Sequence, residues 1–152
     1  MKKIFFTLSM FIFVTSAWAQ KLTEKDLQGN WKLIKYEVGG ISLDIPTGKA
    51  TMEKTSDPLA AAMGMQMIGE MEGYTESLSM ATLEIKGNNF SQLISSHMRN
   101  GPFTIIEKDG QQFISATFDN GSSDQIPFSI IDGNLYLLHS TKPKKYIYAR
   151  IK

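Results

Sequence analysis

The densest chemistry in this sequence is sulfur. Met63-Gly64-Met65-Gln66-Met67, followed by Met71, gathers four thioethers in a short span. Closely spaced thioethers are soft ligands that select Cu(I), and His97-Met98 and His139 would extend such a set. The same residues also read as packing. Met63, Met67 and Met71 recur at i, i+4 and i+8, a single stripe on a helix, and only Met65 leaves it. Flexible thioethers suit a lid that repacks around varied ligands. Packing or a lid is therefore the reading carried forward, with no cofactor and no metal expected.

Catalysis finds little support. The chain has two His, neither with a partner at a defined spacing. It holds no Gly-x-Ser-x-Gly, His-Glu-x-x-His or phosphate loop. Glu70, Glu72 and Glu76 read as solvated acids on a connection, and the Asp-Gly turns lack the alternating oxygen ligands of a calcium loop. With no Cys there is no thiol nucleophile, thiolate metal site, disulfide or lipid-modified N-terminal cysteine. The chain is not read as an enzyme.

Apolar chemistry is better represented. Phe90, Met98, Phe103, Phe113 and Phe128 fall where strand alternation would turn them toward an interior, as wall or as filling. Tyr146, Tyr148 and Arg150 share one face of a terminal strand. Two phenols with an arginine would grip a carboxylate. Alternatively, Arg150 seals the base of the fold over Trp31, a cation–π contact of about 0.5–2 kcal/mol.

The elements that must position these residues are marked by turns. Gly87-Asn88, Asn100-Gly101, Asp109-Gly110, Asn120-Gly121 and Asp132-Gly133 recur at short, regular intervals. Such pairs supply the positive φ angles of tight hairpins. Between them run Met80–Lys86, Asn89–Met98, Pro102–Lys108, Gln111–Asp119, Ser123–Ile131 and Asn134–Thr141, with Lys144–Ile151 after a turn at Lys142-Pro143. All are rich in Phe, Ile, Tyr and Thr, the chemistry of half-buried strands. Asn30–Val38 precedes them and ends at Gly39-Gly40. Eight strands suffice to close an antiparallel up-and-down barrel, which removes exposed edges; an open sheet or sandwich is the alternative. The fold class is accordingly all-β, an eight-stranded barrel with a helical or irregular insertion after the first strand.

That insertion spans residues 41–79. A short strand at Ile41–Ile45 leads to Pro46-Thr47-Gly48. Asp57-Pro58 then has the form of a helix N-cap with proline at the first helical position. Leu59–Glu72 is Ala- and Met-rich, weakened by Gly64 and Gly69 into a broken helix or two short ones, with Gly73 as a stop. A connection this long at one end of a barrel acts as a lid or binding loop.

Gly29-Asn30-Trp31 opens the first strand and Arg150 sits on the last. On these residues and on strand order, the chain resembles the lipocalin and calycin superfamily, particularly the lipocalin-like domains of exported bacterial proteins. Gly29, Trp31 and Arg150 match that superfamily's structural signature, and the resemblance extends over residues 20–152. It departs in lacking the second, Thr-Asp-Tyr-like loop and the usual disulfide. Gly29–Leu33 also resembles the opening of intracellular fatty-acid-binding proteins. The resemblance implies noncovalent binding of a small apolar or amphipathic molecule in the barrel.

Residues 1–19 read as an export signal: Lys2 and Lys3, an apolar Ile4–Val14, and Ala17-Trp18-Ala19 as cleavage site. The apolar run is short of the roughly 20 residues of a membrane span. Removing this segment takes two lysines from a formal charge of +1, leaving −1. A near-neutral surface argues against nucleic acid as partner. The 152 residues, 42% of them hydrophobic, suit one ordered domain rather than a disordered chain. The expectation is an exported monomer, periplasmic or secreted, without a membrane span. Its alternatives are a protein-interaction scaffold and a periplasmic Cu(I) binder.

Overall fold

Both Asp-Gly pairs form the hairpins their chemistry requires. Asp109 and Gly110 have φ of 51° and 75°, and Asp132 and Gly133 have 51° and 78°, both residues of each pair lying in the left-handed region. The computed structural model describes residues 21–139 and 143–152, so the expected export signal lies outside the described residues, as does part of the turn at Lys142-Pro143. The chain begins with a single helical turn, α1 (Glu24–Leu27), followed by β1 (Gly29–Val38). Next come β2 (Ile41–Asp44) and β3 (Lys49–Met52), a hairpin of which only the first strand is expected from the sequence. Helices α2 (Pro58–Gly73) and α3 (Thr75–Ser79) complete the insertion. The remaining strands are β4 (Thr82–Lys86), β5 (Asn89–Ile94), β6 (His97–Lys108), β7 (Gln111–Thr117), β8 (Ser123–Ile131), β9 (Asn134–Leu138) and β10 (Lys144–Arg150).

Strands β4 to β10 pair in sequence order, and β10 returns to β1, closing an eight-stranded antiparallel barrel of lipocalin-like design. The closing seam runs from Trp31 opposite Arg150 to Val38 opposite Lys144, with a bulge between Leu33 and Lys35. On its other edge β1 is shared. Gly29–Lys32 pairs with β4, whereas Lys35–Val38 pairs with β2. From that point the β2–β3 hairpin diverges from the wall, and α2 packs on both of its strands. The insertion thus sits at the end of the barrel remote from Trp31.

Asp57 caps α2 as expected, its carboxylate accepting from the Leu59 N–H at 3.0 Å with Pro58 at the first turn. The helix runs unbroken through Gly64 and Gly69. Gly64 is used for packing, because a Cβ there would lie 1.8 Å from the Met52 sulfur.

One expected turn is not a turn. Asn100-Gly101 lies inside β6, and the hairpin between β5 and β6 instead falls at Ser95-Ser96, with Ser95 at φ 55°. Gly101 serves close approach: a Cβ there would meet the Thr117 carbonyl oxygen at 1.9 Å. Asn100 uses its side chain to tie neighbouring turns, donating to Asp119 and accepting from Asn89.

Register then corrects two wall residues. Ile94 pairs with His97 and Phe90 with Gly101, so the odd-numbered residues of β6 face inward with Phe103. Met98 therefore points outward and is 67% exposed. Across the two-residue turn at Asp109-Gly110, Phe103 pairs with Ala116 and Ile106 with Phe113. Ala116 and Ile114 fill the interior, and Phe113 lies half-buried on the outer face beside Ile106 and Pro127.

Candidate functional site

The closed end is built first. Trp31 is fully buried and donates its indole N–H to the Leu27 carbonyl at 2.9 Å. The Arg150 guanidinium lies 4.2 Å from the Trp31 ring centroid and donates to the carbonyls of Asp26, at 2.8 Å, and Gln28. Gly29 makes this possible, since its φ is +126° and a Cβ would crowd the Arg150 Nη1 at 3.1 Å. Arg150 is thereby placed as the seal over Trp31, and its guanidinium is separated from the phenols of Tyr146 and Tyr148. The carboxylate grip considered for those three residues is not assembled.

Above this plug the lumen is filled. Leu83, Ile85, Phe90, Phe103, Ile114, Phe128, Leu135 and Leu137 are all buried. Phe90 touches Phe103 edge-on, with ring centroids 6.5 Å apart, and lies 6.1 Å from Phe118. Thus Phe90, Phe103 and Phe128 face inward as core.

A polar layer crosses the barrel next. Gln92, 2% exposed, donates from Nε2 to the Tyr148 hydroxyl at 2.8 Å. Its Oε1 accepts from Arg99 Nη2 at 2.7 Å. Arg99 Nη1 meets Asp124 Oδ2 at 3.3 Å, and the guanidinium rests 4.6 Å from the Phe118 ring centroid. Burial pushes the Tyr148 phenol far above the usual tyrosine range, and it raises Tyr36 and Tyr146 as well. All three remain neutral near pH 7. Arg99 is the residue that sequence reasoning missed. It stands beside Met98, and the two-residue turn at Ser95-Ser96, by reversing parity between β5 and β6, turns Arg99 inward and Met98 outward.

Beyond this layer the barrel is open. A cleft of about 440 Å³ lies under α2 and α3, lined by Tyr36, Val38, Met67, Met71, Leu78, Ile94 and Tyr146, with Glu70, Lys144 and Tyr74 among its polar contacts. The Tyr36 and Tyr146 rings meet at 5.0 Å. A second chamber of about 290 Å³ is lined by Gln92, Ile94, Ser95, His97, Arg99, His139 and Tyr146. The two share Ile94, Ser95 and Tyr146. A depression of about 490 Å³ adjoins them at the rim, formed by the Gly39-Gly40 turn, β3 and the ends of β9 and β10. Glu37 and Lys145, which line it, form an ion pair at 2.7 Å.

The four clustered methionines divide. Met71 is buried at 5% exposure, Met67 is 38% exposed, and Met63 and Met65 are 60% and 74% exposed. Met67 and Met71 join the cleft, while Met63 and Met65 face solvent together with Leu59. Among the described residues no helix is long and apolar enough to cross a membrane, and no group of three or more His, Asp or Glu is placed to hold a metal ion. Comparison of the chain with protein-family models, with curated proteins and with solved structures returns no match.

Proposed function

We propose that this protein is an exported, monomeric member of the lipocalin-like group that binds a small hydrophobic or amphipathic molecule noncovalently in the mouth of its barrel. The observation that carries this reading is the division of the lumen. The Trp31 half is packed solid, while the opposite half keeps a cleft of about 440 Å³ lined by Tyr, Met, Leu and Ile and roofed by helices. That volume lies within the range of small-molecule sites, and its lining is mostly apolar with a few polar groups. Binding is driven by removal of apolar surface from water, at about 25 cal/mol per Å². Roofing by α2 and α3 makes the insertion the gate.

The test is direct. Organic extraction of the purified protein followed by mass spectrometry is expected to release a bound lipid-like molecule, and the emptied protein is expected to take up a fluorescent fatty acid. Ile94→Trp, which fills the wall common to both chambers, abolishes uptake while the protein stays folded. A protein that yields nothing on extraction and takes up no probe overturns the proposal.

A second reading, an interaction scaffold, draws on the exposed Leu59 and Met63, one turn apart on α2. It predicts a stoichiometric protein complex lost in Leu59→Ser/Met63→Ser, with probe uptake unchanged.

A further inference from the structure

An arginine in the lumen of a small barrel must recover the hydration it gives up, and its partners show what else it has room to hold. Strand β6 turns Arg99 inward opposite Gln92. Of the five N–H groups of its guanidinium, Nη2 goes to Gln92 and Nη1 to Asp124. The acceptors of this layer are thus engaged from within the protein, since Gln92 Oε1 is taken by Arg99 itself. Asp124 lines a crevice of about 10 Å³ that shares Gln92, Arg99, His139 and Tyr146 with the 290 Å³ chamber, and Asp124 itself is not among the residues lining that chamber. That chamber is bordered by the Arg99 guanidinium together with Gln92, Ser95, the Tyr146 phenol and the His97 and His139 imidazoles, and no carboxylate is among its described lining residues.

On the reading of the barrel mouth as a binding site, we infer that the ligand is an amphipathic carboxylic acid whose carboxylate is held by Arg99 in the smaller chamber and whose apolar chain passes Ile94 into the cleft beneath α2. Three features favour this pairing. The planar guanidinium fork matches a carboxylate with two parallel N–H···O bonds. The two chambers share Ile94, Ser95 and Tyr146, so head and chain are continuous. Asp124 already balances part of the arginine's charge, which suits a monoanion better than a dianionic phosphate.

The experiment compares dodecanoic acid, dodecanol and dodecyl phosphate on the purified protein by displacement of a fluorescent fatty acid. The acid is expected to bind at least tenfold more tightly than the alcohol or the phosphate. Arg99→Gln removes that preference and leaves alcohol affinity within twofold. Asp124→Asn, which frees the guanidinium of its competing anion, tightens acid binding and not alcohol binding. Should Arg99→Gln fail to fold, the wild-type comparison and Asp124→Asn decide the matter. Equal affinity for acid and alcohol, tighter binding of the phosphate, or parallel losses for all ligands in Arg99→Gln each overturn the assignment to Arg99 while leaving the apolar site standing. Binding of none of the three overturns both.

Discussion

Two arginines divide the ends of the barrel between them, and their roles follow from what each can reach. Arg150 gives its guanidinium to the Trp31 face and to the carbonyls of Asp26 and Gln28, so it closes one end. Arg150→Ala is expected to lower stability by about 2–4 kcal/mol, combining the lost cation–π contact with lost charge-assisted hydrogen bonds. Arg150→Lys recovers only part, because a lysine cannot stack and fork together. Urea denaturation of the two variants against wild type measures both effects, and a loss within 0.5 kcal/mol for Arg150→Ala would show that the seal is ornamental. This end was legible in the sequence, since Gly29, Trp31 and Arg150 carry it in their own types and order. Arg99 was not legible. Its neighbour Met98 is the apolar member of the pair, and nothing local says that the strand turns at Ser95.

At the scale of elements, hairpins transmit register as parity. A two-residue turn pairs odd positions with even ones, so an inward Phe90 on β5 obliges an inward Phe103 on β6 and then Ile114 and Ala116 on β7. The Asp-Gly turn at Asp109-Gly110 carries that rule into β7, where it turns Ile114 inward and Phe113 outward. Asn100-Gly101 misled because the same dipeptide serves a tight turn and a close backbone approach, and only the neighbouring β7 chain distinguishes them. The β3 strand escaped notice because it is short, polar and half-exposed, held by pairing to β2 rather than by its own pattern. Glycines of different purpose should respond differently to alanine. At Gly101 the obstacle is the Thr117 carbonyl, a backbone atom that cannot swing aside, and Gly101→Ala is expected to cost about 3 kcal/mol or more. At Gly69 nothing lies within 4 Å, and Gly69→Ala is expected to raise stability by about 0.5–1 kcal/mol through helix propensity. Thermal and urea unfolding of the pair check the opposite signs. If α2 gates the cleft, Gly69→Ala also slows probe release, because a stiffer helix opens less often.

The whole molecule stores a pH dependence in its tyrosines. Tyr36, Tyr146 and Tyr148 all hold their protons more tightly in the folded state, chiefly because burial disfavours the phenolate. Once the pH passes the ordinary tyrosine value of about 10, the unfolded chain releases protons that the native state keeps, so native stability falls as pH rises. Below that value both states are protonated and the contribution is intact. Urea midpoints are therefore expected to drop steeply above about pH 10, with Tyr148 the strongest contributor because it is fully buried. Tyr148→Phe separates this effect from lysine deprotonation. The variant loses about 1–2 kcal/mol at neutral pH, since the Gln92 amide is left without its acceptor, yet it declines less steeply than wild type in alkali. Matching alkaline slopes in the two proteins would mean that the Tyr148 phenol ionises without unfolding. Water would then reach below the polar layer, and the division of the lumen into a sealed half and an open half would not hold. A shallower slope in Tyr148→Phe, with probe affinity retained, places the floor of the ligand site at the Gln92–Tyr148 pair.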